Sequence, residues 1–167
     1  MANFSISSTG IVQALILLLV ANGAPVLANN FLGRHYAWPV DSGFKLTDGR
    51  SLFGDTKTWR GLVAAAGMTG AAAILLGTDP WIGILFGGLA MTGDLLSSFI
   101  KRRLGKEEST RARGLDTVPE SLLPVWVLKE QFELSYVDIV LIVVLFFMVE
   151  EGLSPLLYKW HIRKRPY

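Results

Sequence analysis

The sequence predicts an all-α integral membrane protein: a bundle of five transmembrane helices with the N-terminus outside and two charged cytoplasmic loops. Of its 167 residues 51% are hydrophobic, and the mean hydropathy is +0.42. The apolar runs are long and continuous, with no alternation of period two, and Lys and Arg are gathered into a few segments. In lipid each span must satisfy its own backbone hydrogen bonds, so continuous apolar runs mean helices, whereas a barrel would alternate. Length and composition fit one membrane-embedded domain, residues 1–167.

The spans follow in order. Ile11 to Ala28 is just long enough to cross a hydrocarbon core of roughly 30 Å, and Asn22, Gly23 and Pro25 are expected to break its second half. No basic stretch precedes it and no clean cleavage site follows, so it is read as retained. Leu62 to Leu76, the turn Gly77-Thr78-Asp79-Pro80 and Trp81 to Ile100 read as a tight helical hairpin. Tyr136 to Leu157 is a span with Asp138 near its start. Thr117 to Lys129 is short, carries Pro119, Glu120 and Pro124, and by length alone fits a re-entrant piece.

Charge decides that segment. If it crosses, fifteen of the sixteen basic residues fall on one side; if not, Lys159, Arg163, Lys164 and Arg165 move to the other face. Lys and Arg of short loops collect on the cytoplasmic side, which favours five crossings of the cell membrane and a cytoplasmic site. Trp38, Trp81, Trp126, Tyr136, Tyr158 and Trp160 stand near the proposed ends, where amphipathic rings prefer the interface.

Other features exclude. With no cysteine there is no disulfide, thiolate nucleophile or sulfur-bound zinc. A formal charge of +2 gives no nucleic-acid footprint. His35 and His161 stand far from other candidate ligands and receive no role.

Three stretches can carry chemistry. In the first, Asp55-Thr56-Lys57-Thr58-Trp59-Arg60-Gly61 enters the second span. Thr56 or Thr58 would cap that helix, and a start near Thr56 puts Lys57 and Arg60 on one face, where two cations can hold adjacent phosphates. The bland alternative is a pair of headgroup anchors. The second is Gly93-Asp94-Leu95-Leu96-Ser97-Ser98-Phe99-Ile100-Lys101-Arg102-Arg103, in which Asp94, Ser97 or Ser98, and Lys101 share a helical stripe. A carboxylate so far inside an apolar helix costs about 2.5–3.5 kcal/mol unless it faces protein, water or a metal, which makes Asp94 the leading single residue. Its bland alternative is a pair with a basic residue of the bundle. The third stretch leads from Leu115-Asp116 to Glu120, which make capping sense alone. With Asp55 and Asp94 they can form an all-oxygen Mg²⁺ site beside Arg and Lys, as phosphoryl or nucleotidyl transfer uses. Glu150 and Glu151, near the end of the last span, are expected to pair with basic residues.

Four motifs then point to a family: Asn22-Gly-Ala-Pro25, Gly54-Asp-x-Lys-Thr-x-Arg-Gly61, Gly93-Asp-x-x-x-Ser-Phe-Ile-Lys-Arg-Arg103 and Leu115-Asp116. Over nearly its whole length the chain resembles CDP-archaeol synthase, a family of small membrane cytidylyltransferases related to phosphatidate cytidylyltransferase. The resemblance implies transfer of CMP from CTP to a lipid phosphate, with release of diphosphate and help from Mg²⁺. It implies catalytic roles for Asp94, Lys57, Arg60 and Lys101, and substrate contacts for Asn22, Asp55, Thr58, Ser98, Arg102 and Arg103. The metal is assigned to Asp94, Asp116 and Glu120. Archaeal members tend to read Leu-Asp-Gln-Leu-Asp where this chain has Leu115-Asp-Thr-Val-Pro-Glu120; either Glu120 replaces the displaced acid or metal binding differs. The implied partners are CTP, a lipid phosphate and membrane lipids, with no nucleic acid and a homo-oligomer left open.

Two rival functions remain. A CDP-alcohol phosphotransferase would need an Asp-Gly-x-x-Ala-Arg signature, which Asp48-Gly49-Arg50 only begins. A transporter or scaffold subunit of a lipid-handling complex would use Asp94 for coupling or pairing, although the chain has no inverted repeat.

Overall fold

The computed structural model describes residues 7–106 and 114–159. Arg111, Arg113, Trp160, His161, Arg163, Lys164 and Arg165 lie outside the described residues. Among the described residues five helices follow in order: α1 (Ser8–Leu32), α2 (Trp59–Leu75), α3 (Pro80–Arg103), α4 (Thr117–Val127) and α5 (Tyr136–Lys159). Among the described residues, α1 and α3 are long and apolar enough to cross a membrane, and α2 is a shorter apolar helix.

The expected break in the first helix does not occur. α1 runs through Asn22 and Gly23 with Pro25 inside it. Proline removes one ladder hydrogen bond, but neighbouring helices can hold the remaining turns in register. Here α2 lies against that turn at Gly61, where an added methyl would stand 3.4 Å from the Pro25 ring.

The α2–α3 hairpin forms as the sequence predicts. Gly77 takes a φ of +71° in the turn, the Asp79 carboxylate accepts the Trp81 N–H at 2.7 Å, and Pro80 occupies the first turn of α3. The two helices touch through small residues, since Gly83 and Gly87 of α3 lie against Thr69, Ala65 and Ala73 of α2. The small residues of α2 thus serve close helix packing.

α4 has 11 residues and ends at Val127, short of the expected Lys129; its length is about 16 Å at 1.5 Å per residue. The chain nevertheless continues to the opposite end of the bundle. Leu128, Phe132 and Leu134 join the core against Ile11, and Ser7, just before α1, donates to the Phe132 carbonyl at 3.4 Å. Hydrogen-bonded turns from Leu128 to Leu134 carry the chain from the end of α4 to this contact.

Packing at Gly87 gives a direct test. A methyl there would sit 2.9 Å from the Ala65 carbonyl, whereas one on Gly88 meets nothing within 4 Å. Gly87→Ala is expected to lower the thermal midpoint in detergent despite the gain in helix propensity of about 1 kcal/mol. Gly88→Ala keeps that gain and leaves the midpoint unchanged or higher.

Candidate active site

The site lies where the α1–α2 loop meets the end of α3 and the start of α4. Thr58 has an extended backbone, caps α2 and accepts the Gly61 N–H at 3.4 Å. Because the helix starts after this cap, Lys57 precedes it and does not share a helical face with Arg60. Lys57 Nζ instead meets both oxygens of Asp94, at 2.7 and 2.6 Å. Burial alone would lower the lysine pKa, but the Asp94 carboxylate, with Glu120 and Asp116 beyond it, outweighs burial and holds the ammonium above its ordinary value. Asp94 does have the basic bundle partner of its bland reading, and the pair lines a cavity.

That cavity has a volume of about 520 Å³, inside the range of small-molecule sites. Its wall includes Pro25 and Asn29 of α1, Asp55, Lys57 and Arg60 of the loop and α2, and Asp94 of α3. Arg60 is anchored at the C-terminus of α1, donating to the carbonyls of Gly33 and His35 at 2.9 and 2.6 Å and to Asn29 Oδ1 at 2.8 Å. A guanidinium there answers the negative end of the helix.

Along α3 the expected stripe is present. Ser97 donates to the Asp94 carbonyl at 2.8 Å, and Ser98, Lys101 and Arg102 are buried. Lys101 Nζ reaches Asp116 Oδ1 at 2.7 Å. Asp116 makes no capping hydrogen bond at α4, so its carboxylate serves the lysine. Arg103 turns away, pairing with Asp48 at 2.7 Å and donating to the Ser51 carbonyl at 2.7 Å.

Gly93 permits this convergence. A methyl on it would collide with the Pro119 carbonyl and stand 2.7 Å from Glu120 Cα. Without a Cβ there, α4 lies directly on α3, and Glu120 is buried with its backbone against Gly93. Three carboxylates therefore act on Lys57, although no three acidic or histidine groups among the described residues form a ready metal cluster. Carboxylate oxygens are the donors Mg²⁺ prefers, and Mg²⁺ usually takes only one or two of them, with phosphate oxygens and water completing its shell. The donor set fits that metal.

Several functional side chains escaped the sequence reading. Asp41 accepts backbone N–H groups from Gly43, Phe53 and Gly54 at 3.0, 2.9 and 3.0 Å, and so shapes the turn that delivers Asp55 and Lys57. Burial pushes its pKa up, but those three N–H groups outweigh this and hold it below the ordinary carboxylate value. Arg50 donates to the carbonyls of Arg102 and Arg103 at 3.2 and 3.1 Å, and with Asp48 it docks the loop on the end of α3. Asn22 Nδ2 donates to Glu150 Oε1 at 2.9 Å, and Thr117 donates to Glu150 Oε2 at 2.7 Å, so groups from α1 and α4 meet on one carboxylate of α5. Only the Asp-x-Gly spacing of Asp41-Ser42-Gly43, with its turn propensity, could have flagged Asp41.

With this geometry in hand, comparison with known proteins is specific. A CarS-like family model described as CDP-archaeol synthase matches residues 9–167. The chain belongs to the CDP-archaeol synthase family. As a member it is a membrane enzyme of lipid biosynthesis and a CTP-dependent cytidylyltransferase. A CDP-archaeol synthase from Pyrobaculum calidifontis is 34% identical over 94% of this chain and 98% of its own length. One from Sulfurisphaera tokodaii is 32% identical over 89% of this chain and 90% of its own. One from Hyperthermus butylicus is 38% identical over 63% of each chain. A solved structure of an intramembrane enzyme for archaeal membrane lipids biosynthesis matches with a TM-score of 0.74 and 28% identity, covering 86% of this chain and 91% of that one.

Asp41 predicts an acid dependence for this family member. Its folded pKa lies below the ordinary 3.8, so its stabilising contribution is complete above that value and is lost as pH falls through the depressed one. Asp41→Asn should lower the unfolding midpoint at neutral pH, and the gap to wild type should shrink in acid titrations below pH 3.8.

Proposed function

We propose that this protein transfers CMP from CTP to an isoprenoid glycerol phosphate, giving a CDP-activated lipid and diphosphate. One observation carries the reading: two carboxylate–lysine pairs, Lys57–Asp94 and Lys101–Asp116, stand at one end of an apolar helix bundle, the first on the wall of a nucleotide-sized cavity. A lipid substrate supplies its phosphate from the membrane and CTP arrives from water, so the reaction belongs at this boundary. The substrate class is supported by the names of the relatives, all CDP-archaeol synthases.

A phosphate oxygen of the lipid attacks the α-phosphorus of CTP in line, a new P–O bond forms, and the bond to the β-phosphate oxygen breaks with diphosphate as leaving group. The lipid phosphate enters as an anion, so no general base is needed, consistent with the lack of a convincing histidine site in the sequence. Lys57 holds CTP phosphates on a cavity wall that Arg60 fixes to α1, Lys101 and the buried Arg102 offset charge on the transferring and leaving groups, and Asp55, Thr58 and Ser98 orient the substrates. Asp94 and Asp116, aided by Glu120, would hold Mg²⁺ together with the phosphates; the bound metal supplies neutralisation of phosphate charge. Arg103 and Asn22 support the site through the loop clasp and the link to Glu150.

In this reading the chain crosses the cell membrane five times, with the N-terminus outside and the site cytoplasmic. The fourth crossing is supported by segment 117–134, which joins the end of the bundle holding Asp116 to the end holding Ser7.

The test is diphosphate release by purified protein in detergent, with CTP, Mg²⁺ and either polyprenyl-glycerol phosphates or phosphatidic acids. Asp94→Ala and Lys57→Ala should each lower kcat/KM by about 10²-fold or more, on the scale of losing one transition-state charge contact, and chelation of Mg²⁺ should abolish turnover. A folded protein that binds CTP without turning over any lipid phosphate would refute the reading. Because the Lys57 pKa is raised above 10.5, its charge persists through neutral and moderately alkaline pH. The alkaline side of the rate profile should therefore show no loss attributable to Lys57 until pH exceeds 10.5.

A further inference from the structure

Asn22, Asp94 and Glu150 are each the fifteenth residue of their helices, α1, α3 and α5. At 1.5 Å per residue each stands about 21 Å along its own helix. Asp94 belongs to the site already described. Glu150 does not line its cavity, yet it is no ordinary surface acid, because its two oxygens receive donors from two other helices. Asn22 Nδ2 lies 2.9 Å from Oε1, and Thr117 Oγ1 lies 2.7 Å from Oε2.

Both donors occupy sensitive places. Asn22 stands on the turn of α1 weakened by Pro25. Thr117 is the first residue of α4, is buried, and follows Asp116, whose carboxylate meets Lys101. Its own carbonyl accepts from Ser121 at 2.7 Å, which ties it into the helix that also carries Glu120. A shift of Thr117 would therefore move Asp116 and Glu120 relative to Lys101 and Asp94.

We infer that Glu150 is a positioning residue: by bridging Asn22 and Thr117 it locks α1 and the first turn of α4 into one register, and so holds Asp116 and Glu120 at the site. This rests on the cytidylyltransferase reading for its effect on rate, but the bridge itself does not. Glutamine can keep both contacts, its carbonyl accepting from Asn22 and its amide donating to the Thr117 hydroxyl, while removing the charge. Alanine removes both.

The experiment compares Glu150→Gln, Glu150→Ala, Thr117→Val and the Glu150→Ala/Thr117→Val double variant with wild type, in two assays. In the turnover assay, Glu150→Gln should stay within about threefold of wild type. Glu150→Ala should lower kcat roughly tenfold or more and raise the Mg²⁺ concentration for half-maximal rate, with a smaller change in KM for CTP. Thr117→Val should add little to Glu150→Ala, because both remove one bridge. In the second assay, cysteines introduced at the exposed positions Phe31 and Val118 carry spin labels, which the cysteine-free chain allows. The distance distribution between them should be narrow in wild type and Glu150→Gln, and broad or displaced in Glu150→Ala.

A loss in Glu150→Gln equal to that in Glu150→Ala would overturn the bridge in favour of a role for charge. An unchanged distance distribution, or unchanged kcat and Mg²⁺ dependence, in Glu150→Ala would overturn the inference outright. If wild-type protein shows no turnover, the functional reading fails, and the spin-label distances alone decide whether Glu150 sets the register.

Discussion

A charge placed well inside an apolar helix must be answered by another polar group, and this constraint organises the molecule. Asp94 meets Lys57 and Glu150 meets Asn22 and Thr117, while at the edge of the bundle Asp116, just before α4, meets Lys101. None of these partners comes from the same helix, so each polar contact is also a tertiary contact. The loop between α1 and α2 has to be ordered because it delivers Lys57, and α4 has to lie close to α3 because it delivers Asp116 and Glu120. Removing one partner would leave a buried charge unanswered, which costs more than the pair itself contributes.

The ordering devices follow from that need. Asp41 gathers three backbone N–H groups, and Arg50 and Arg103 exchange contacts across the loop and the α3 terminus. Arg60 fastens the start of α2 to the end of α1. Thus two of the basic residues near the site, Arg60 and Arg103, hold backbone carbonyls, while Lys57 and Lys101 hold carboxylates. An arginine's planar fork suits several fixed carbonyls; a lysine is a compact charge that can exchange one anion for another. The lysines are accordingly the groups suited to release a carboxylate and meet a phosphate.

Glu120 follows Asp116 at a helical spacing. α4 begins at Thr117, so positions three and four beyond Asp116 both lie on its side of the helix. Gly93 on α3 has no side chain, so this turn of α4 can approach.

Helix identity and the stripe of polar residues on α3 were legible in the sequence because they depend on local properties. Continuous apolar runs, the Gly77–Pro80 turn and the spacing of Asp94, Ser98 and Lys101 along one helix face are set within a few turns of chain. The four motifs were enough to point to the family. What neighbouring helices supply was not legible. α1 stays helical through Pro25 because α2 packs on that turn; segment 117–134 reaches the far end of the bundle with an 11-residue helix because the chain beyond it packs on α1. Lys57 left its expected helical face because the cap fell at Thr58, and Asp41, Arg50 and Glu150 acquired roles through partners between 2 and 128 residues away. The sequence alone determined which residues carry charge into an apolar bundle; only the tertiary structure decided which opposite group answers each one, because pairing energy depends on distance in space and not along the chain.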